Sequence, residues 1–297
     1  MAKKIGIFTE SAIDVPKGLL KKRDITSIPI HILINDESKL HGIEIVNKEV
    51  VDHITNKDQV ETEPPTPLEY FLAFQKISTE YDEIYSLHTS SLLSKAYANA
   101  RHGLELLKKQ LNSEQNSIMM SDTNIKVIDT KAASISLGQI VNRVAKIVKT
   151  DYDDTKLDNY IALLIKKAML FFVVDDLYWL KRAGKLNMFS GFFGKMFNVK
   201  PIIKLEGGKA VSIDKVRGKD TALDSLIALL KKTTPKYKKG VEIWIAHSSS
   251  ITDAQYTREQ LAASFNIRKE KIPIVESGPT TTAHLGPGMI TVSILPK

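Results

Sequence analysis

The chain has 297 residues, of which 43% are hydrophobic, and this length is more typical of two domains than of one. It contains no cysteine, which excludes a disulfide framework, a thiolate metal site and a cysteine nucleophile, and which favours a reducing cytoplasm. The net charge of +8 would suit nucleic acid, an anionic membrane surface or an acidic protein as a partner.

The basic residues are scattered along the chain, and no RNA-binding aromatic signature accompanies them. We therefore do not expect nucleic acid to be the main ligand. The chain runs from a short basic patch straight into a strand, and its longest apolar run, "MLFFVV", is far shorter than the ~20 residues that cross a bilayer. These features predict a soluble, cytoplasmic protein.

In the first half of the chain, strands alternate with helices. Strands are predicted at "KKIGIFT", "ITSIPIHILI", "EIYSLH" and "IKVIDT", and helices at "DVPKGLLKKR", "KEVVDHIT", "LEYFLAFQKI", along the stripe from Leu93 to Leu111, and over Ala133–Lys149. We expect Asp14 to cap the first helix and "ETEPPTP" to form a proline-rich loop. The alternation predicts a mostly parallel sheet flanked by helices, with ligand-binding loops at the carboxyl ends of its strands.

The acidic stretch "TDYDDTKLD" is the best candidate for a domain boundary, which divides the chain into residues 1–155 and 156–297. The second part predicts a strand and helix in "LFFVVDDLYWLKRAG" and a hairpin that turns at Gly207–Gly208. Helices over Thr221–Lys232 and Asp253–Phe265 and the strands "VEIWIAH", "KIPIVE" and "MITVSIL" complete it. The pattern indicates a second α/β domain with a mixed sheet.

Most catalytic and cofactor motifs are absent from the sequence. There is no phosphate-binding loop of the P-loop or dinucleotide type, no nucleophile elbow, and no pair of histidines with metal-ligand spacing. The one adjacent carboxylate pair, Asp175 and Asp176, is expected to cap a helix, because neighbouring side chains point in different directions. We therefore expect neither a cofactor nor a metal.

Three hydroxyl-rich segments suggest where a ligand binds: "VETEPPTP", "HTSSLLSKAY" and "SGPTTTAHLGPG". Each combines small hydroxyl donors with a helix start or a sharp turn, where backbone N–H groups are unpaired. Hydroxyls together with one histidine suit a single small oxyanion such as a carboxylate. Each Ser or Thr could instead simply cap a helix.

An aromatic stripe in "NMFSGFFGKMFN" is the second signal. Its members are spaced for one face of a helix and are flanked by lysines: Phe189, Phe192, Phe193, Met196 and Phe197, with Lys185, Lys195 and Lys200. Such a stripe forms either ordinary core or the lid of an apolar tunnel that can touch an anionic bilayer. An oxyanion site beside an apolar tunnel is typical of a fatty-acid-binding protein.

Six segments, taken in order, resemble the DegV family of bacterial fatty-acid-binding proteins over nearly the full length of the chain. They are "FTESAID", "VETEPPTP", "SSLLSKAY", "VIDTKAASISLG", "LKRAGKL" and "AHLGPG". The third segment keeps the hydroxyls and the aromatic ring of the family's Ser-Ser-Gly-Leu-Ser-Gly-Thr-Tyr, namely Ser90, Ser91, Ser94 and Tyr97.

The resemblance implies one long-chain fatty acid held between the two domains, with its carboxylate bound by a threonine, a serine and a histidine that correspond to Thr62, Ser94 and His284. Arg217, which follows the hairpin, and Ser91 are further candidates for the same site. The resemblance also implies that the acid is presented to a separate ATP-dependent fatty acid kinase, which makes the acyl phosphate. On this reading the chain is a carrier and not an enzyme.

Some positions depart from the family pattern. Lys185 and Ala183 replace an arginine and a glycine, and Leu92 and Lys95 replace glycines beside Ser94. Glu63 follows Thr62 where the family has a serine. Since a carboxylate facing a bound carboxylate would be repelled, we expect Glu63 to point to solvent.

Two other functions are compatible with the residues. A lipid or ester hydrolase would use a Ser or Thr nucleophile with His284 as its base. A subunit related to dihydroxyacetone kinases would carry a substrate or phosphoryl group on His284 or His247. In the carrier interpretation, Gly and Pro residues of "SGPTTTAHLGPG" are expected to bend the chain and bring His284 to the loops of the first domain, while Thr280–Thr282 have no assigned role.

Overall fold

A computed structural model describes residues 3–113, 123–150, 154–182, 198–234 and 240–297. The aromatic stripe from Phe189 to Phe197, together with Ala183 and Lys185, lies outside these residues. Helices and strands alternate as predicted, and the α/β class is confirmed. None of the helices in the described ranges has the length and apolar composition needed to cross a membrane.

The elements are numbered in chain order. The strands are β1 Ile5–Glu10, β2 Ile25–Ile28, β3 His31–Ile34, β4 Glu37–Leu40, β5 Val60–Glu63, β6 Glu83–His88, β7 Asn124–Asp129, β8 Met169–Val173, β9 Val199–Glu206, β10 Lys209–Arg217, β11 Val241–His247, β12 Ile274–Glu276 and β13 Ile290–Pro296. The helices are α1 Leu19–Arg23, α2 Asn47–Thr55, α3 Pro67–Ile77, α4 Ala96–Ser113, α5 Ser134–Ile147, α6 Asp154–Lys167, α7 Leu177–Arg182, α8 Lys219–Thr233, α9 Ile251–Phe265 and α10 Pro279–Leu285.

The first sheet has four parallel strands in the order β2-β1-β6-β7, which confirms the parallel arrangement. Its central strand β6 is buried on both faces, since helices cover each side. Phe8 and Ile84 pack against α3 and α4, whereas Ile7 and Leu87 pack against α5 and α6. The carboxyl ends of these strands therefore meet at one edge, where loops can contact a ligand.

A small antiparallel sheet in the order β4-β3-β5 was not predicted. The sequence "ITSIPIHILI" was expected to be one strand, but it forms β2 and β3 in two different sheets. Pro29 separates them, because proline has no N–H to continue a strand ladder. The expected loop "ETEPPTP" begins as β5, which pairs Thr62 with Ile32 of β3.

The second sheet is mixed, as predicted, with strand order β10-β9-β8-β13-β11-β12. Helices α8 and α9 cover one face through a large aliphatic cluster. The other face turns Leu170, Phe172 and Leu205 towards the first domain, where Leu93 and Ile135 pack against the same cluster. Ile135 of α5 and Leu180 of α7 pack on part of this face, and residues of the same face line a cavity.

The first helix is short and begins after Gly18, whose φ of 77° is left-handed, so Asp14 does not cap it as expected. The division at residue 155 stays a prediction: α6 packs in one cluster with α5, while that cluster also includes Leu295 of β13.

The hairpin of β9 and β10 turns at Gly207–Gly208, as predicted, and its tip touches the first domain. The Ser90 hydroxyl donates to the Gly208 carbonyl at 2.8 Å, and both groups are buried within the contact. A Cβ on Gly208 would collide with the Ser90 Oγ, whereas a Cβ on Gly207 would meet nothing. We call this contact the hairpin latch.

Gly208→Ala should destabilise the protein more than Gly207→Ala. Both glycines have positive φ, so each alanine costs about 1–2 kcal/mol in backbone strain. Only Gly208→Ala adds a collision at the hairpin latch, which is worth about 1–3 kcal/mol more. Urea unfolding of the two variants measures the difference, and equal free energies of unfolding would contradict the latch.

Candidate functional site

A cavity of about 810 Å³ lies between the inner face of the second sheet and the loops of the first domain. Its apolar lining comes from both halves of the chain: Ala12, Ile30, Val60, Pro64, Leu93 and Ala133 from the first, and Leu170, Phe172, Leu180, Leu205, Ala210, Ala283 and Leu285 from the second. Its polar lining comes from both domains and includes Thr62, Ser94, Lys95, Asn99, Arg182, Thr280, Thr281 and His284. The volume falls in the range of roughly 300–1,000 Å³ that is usual for small-molecule sites.

Two of the predicted site residues are in direct contact across the cavity. Thr62 lies in β5 and His284 in the last turn of α10, and the Thr62 Oγ1 is 3.0 Å from the His284 Nε2. Both side chains are half-buried. The segment that carries the histidine is therefore a short helix, and not the bend that was expected from its Gly and Pro residues.

Ser94 lines the same cavity just before α4. Its hydroxyl accepts a hydrogen bond from the Ala96 backbone N–H at 3.1 Å. This bond supports the start of the helix, as the capping interpretation had suggested. Because a hydroxyl both donates and accepts, the Ser94 proton remains available for a ligand oxygen.

The other two predicted residues are not part of the cavity lining. Ser91 is exposed, and its hydroxyl accepts from the Lys131 Nζ at 3.2 Å. Arg217 is exposed at the end of β10, opposite Val199. The structure thus brings Thr62, Ser94 and His284 to one cavity and leaves Ser91 and Arg217 outside it.

Arg182 is the arginine that lines the cavity, and sequence reasoning missed it. It is the last residue of α7, and its guanidinium donates to the Ile54 carbonyl at 2.9 Å. The family resemblance of "LKRAGKL" directed attention to Lys185, whereas the arginine of the same segment lies at the cavity. Lys95 and Asn99, which precede and follow the start of α4, were missed because nothing in their spacing distinguishes them from solvated helix residues.

Each of the three unexplained threonines bonds to a different element. Thr280 Oγ1 is 2.7 Å from the His41 Nδ1, Thr281 donates to the Asp14 carboxylate at 2.9 Å, and Thr282 donates to Ser248 Oγ at 3.0 Å. The first two bonds link α10 to the first domain, and the third links it to the second. All three hydroxyls are buried, so they fix the helix rather than cap it.

A buried network lies beside the cavity. His88 Nδ1 is 3.0 Å from the Glu10 carboxylate, and His88 Nε2 is 2.6 Å from the Ser86 Oγ. Although burial alone would raise it, the pKa of Glu10 is held below its ordinary value by the bonds from His88 and from Thr89. The order Ser, His, Glu is that of a hydrolase triad. Ser86 has no exposed surface, however, so an ester could not reach its hydroxyl.

Glu63 is exposed, but it also lines the cavity together with Glu61 and Glu10, so its expected orientation away from the ligand stays a prediction. Within the described ranges, no three His, Asp or Glu side chains converge in the way that a metal site requires. The cavity thus offers hydroxyl, imidazole and guanidinium donors, and three glutamates, beside an apolar wall.

The fold and the cavity together define a class: α/β proteins with one parallel and one mixed sheet and an apolar, hydroxyl-lined cavity to which both halves of the chain contribute. A family model described as "uncharacterised protein, DegV family" matches residues 4–297. The chain therefore belongs to the DegV family. A DegV domain-containing protein of Staphylococcus aureus is 27% identical over 300 residues, which cover 100% of both chains.

Solved structures share the fold at lower identity. A DegV family protein from Thermus thermophilus, described as binding a fatty acid, superposes with a TM-score of 0.86 at 21% identity and covers 99% of this chain and 100% of that one. A stearic-acid-binding protein from Eubacterium ventriosum gives 0.87 at 19% identity, with 99% and 98% covered. DegV from Bacillus subtilis, described as a fatty acid binding protein, gives 0.83 at 20% identity, with 100% of both chains covered.

His41 should make stability depend on pH. Burial lowers the pKa of His41 from 6.5 to about 4, so the folded protein keeps this ring neutral while the unfolded chain protonates it. Stability is therefore lost as the pH falls from about 6.5 to about 4, by roughly 3 kcal/mol from this residue. His41→Asn, measured by urea unfolding at several pH values, should flatten the slope in that window.

The matched control is His102→Asn, which changes an exposed histidine of α4. It should keep the wild-type pH dependence. An unchanged slope in His41→Asn would show that His41 is not buried as a neutral ring.

Proposed function

We propose that this protein is a cytoplasmic carrier that binds one long-chain fatty acid, with the carboxylate at Thr62, Ser94 and His284 and the acyl chain along the apolar wall of the cavity. The observation that carries the proposal is the cavity of about 810 Å³, in which hydroxyl and imidazole groups from both domains adjoin an aliphatic sheet face. The descriptions of the structural relatives as fatty-acid-binding proteins support it.

The polar residues supply what a monovalent carboxylate needs. If His284 carries its proton on Nε2, it donates to Thr62, and the Thr62 hydroxyl can then donate to a carboxylate oxygen. Ser94 can donate to the second oxygen while it accepts from Ala96. Hydrogen bonds to an ionised acceptor are about twice as strong as neutral ones, which favours the acid over its esters.

The apolar wall supplies most of the affinity in this proposal. Leu170, Phe172 and Leu205 come from the face of β8 and β9 that lines the cavity. Each buried CH₂ contributes about 0.8 kcal/mol, so a long chain gains far more from this wall than any single hydrogen bond provides. The headgroup residues then decide which lipid class is accepted.

The family resemblance supports two partners. The first is an ATP-dependent fatty acid kinase, to which this carrier would present the carboxylate for acyl-phosphate formation. The second is a transient contact with an anionic membrane surface, which was predicted from the aromatic stripe and thus concerns residues outside the described ranges. Neither partner requires this chain to bind a nucleotide or to transfer a phosphoryl group.

A hydrolase is the less favoured alternative. Thr62 and His284 are within hydrogen-bonding distance, as a nucleophile and its base would be. An esterase would also need an oxyanion hole, whereas the structural relatives are described as binding fatty acids. Turnover of a chromogenic ester that depends on His284 would favour this alternative.

Thr62→Val and Ser94→Ala should each weaken binding of oleate to the delipidated protein by about 1–3 kcal/mol, since each removes one donor to a buried carboxylate. Titration calorimetry gives the affinity. Thr26→Val is the matched control, because Thr26 is an exposed threonine in β2 and lies outside the cavity lining. Wild-type affinity in both site variants would overturn the assignment of the headgroup site.

The chain length of the ligand should matter more than any single donor. Affinity should rise by about 1.6 kcal/mol for every two carbons added, until the cavity is full. The methyl ester of the best acid should bind more weakly, because it carries no charge to strengthen the hydrogen bonds. A flat response across acids of eight to eighteen carbons, measured by competition with a fluorescent fatty acid, would contradict an apolar acyl site.

A further inference from the structure

Asp14 is a buried carboxylate whose hydrogen-bond donors, among the described residues, are all neutral groups. It is 2% exposed, and it accepts three hydrogen bonds from distant parts of the chain. The donors are the Gly278 backbone N–H at 2.7 Å, the Thr281 hydroxyl at 2.9 Å and the Ser134 hydroxyl. Burial raises the pKa of Asp14 above its ordinary value in spite of these bonds. Because burying a carboxylate costs free energy, its position indicates a specific role for Asp14 in the structure.

The three donors to the Asp14 carboxylate come from two different helices. Ser134 begins α5 in the first domain, while Gly278 and Thr281 lie at the first turn of α10. Asp14 itself follows β1 of the first sheet. One side chain thus ties the start of α10 to two elements of the first domain.

The same helix carries His284 at its other end. Thr281 and His284 are three residues apart, which corresponds to about 4.5 Å along a helix. A seven-residue helix held at its first turn moves as one body, so a shift at Thr281 reaches His284. The bond between Thr62 and His284 is 3.0 Å long, and a displacement of about 1 Å would break it.

We propose that Asp14 is a positioning residue for fatty-acid binding, which sets the place of His284 against Thr62 without touching the ligand. This inference rests on the function proposed above. Asp14 lies outside the cavity lining, but its partners Ser134 and Thr281 line it, so only an effect that disappears without His284 can be assigned to the position of α10. An ionised carboxylate is suited to this task because it only accepts hydrogen bonds, and all three neighbours donate.

The test compares Asp14→Asn in two backgrounds, with oleate as the probe and titration calorimetry on delipidated full-length protein. The substitution keeps the size of the side chain but presents an NH₂ group to one of the donors. In the wild-type background, Asp14→Asn should weaken oleate binding by roughly 5- to 30-fold. In the His284→Ala background it should cause no further loss, because there is no imidazole left to position.

The two backgrounds distinguish a positioning role of Asp14 from a purely structural one. An equal loss in both backgrounds would mean that Asp14 only holds the fold together, and an unchanged affinity in the wild-type background would mean that it does nothing for the ligand. Either result overturns the positioning role and leaves the proposed function intact. Failure of the wild-type protein to bind oleate would overturn the proposed function itself.

If Asp14→Asn does not fold, neighbouring threonines provide the test. Thr281→Val removes one bond to Asp14, but Thr281 also lines the cavity, so the variant is compared in the same two backgrounds: it should weaken oleate binding in the wild type and cause no further loss with His284→Ala, whereas Thr281→Ser, which keeps the hydroxyl, should restore wild-type binding. Thr282→Val is the matched control: it is the same substitution in the same helix, but its partner is Ser248 of the second domain. Equal affinities in Thr281→Val and Thr282→Val would overturn the proposal.

Discussion

The attachment of α10 to the first domain is the constraint on which the cavity depends. The helix belongs to the second half of the chain, yet Asp14 and His41 hold its first turn and Thr62 contacts its last. The hairpin latch between Ser90 and Gly208 is a second contact between the domains. Because each contact joins residues more than a hundred positions apart, the cavity exists only in the fully folded chain, and its polar lining is assembled from both domains.

The distribution of polar groups explains why this site suits binding better than catalysis. The side chains with a triad's order, Ser86, His88 and Glu10, are fully buried and satisfy one another, so they stabilise the end of β6. Of this trio only Glu10 lines the cavity, whereas the cavity hydroxyls of Thr62 and Ser94 come from a strand and from a helix start. In the proposed function, such groups would hold the carboxylate, while the apolar sheet face would provide most of the affinity.

Local patterns in the sequence were enough to predict most of the elements, because the periods of helices and strands and the turn at Gly207–Gly208 are encoded by adjacent residues. They failed where a side chain bonds to a residue far away in the sequence. Asp14 was predicted to cap a helix, and instead it accepts a hydrogen bond from Thr281. The pairing of Thr62 with His284 spans 222 positions and became visible only through the family resemblance. Arg182 was missed because no local signal separates a cavity arginine from a solvated one.

The most direct test of the account is to identify what the protein carries when it is purified. Native mass spectrometry of the intact chain, followed by organic extraction and lipid analysis, gives both the identity and the amount of the ligand. The account predicts about one long-chain fatty acid per chain, released on denaturation and much reduced in a variant that combines Thr62→Val with Ser94→Ala. A protein that is free of lipid, and that still binds no oleate when oleate is added, would contradict it.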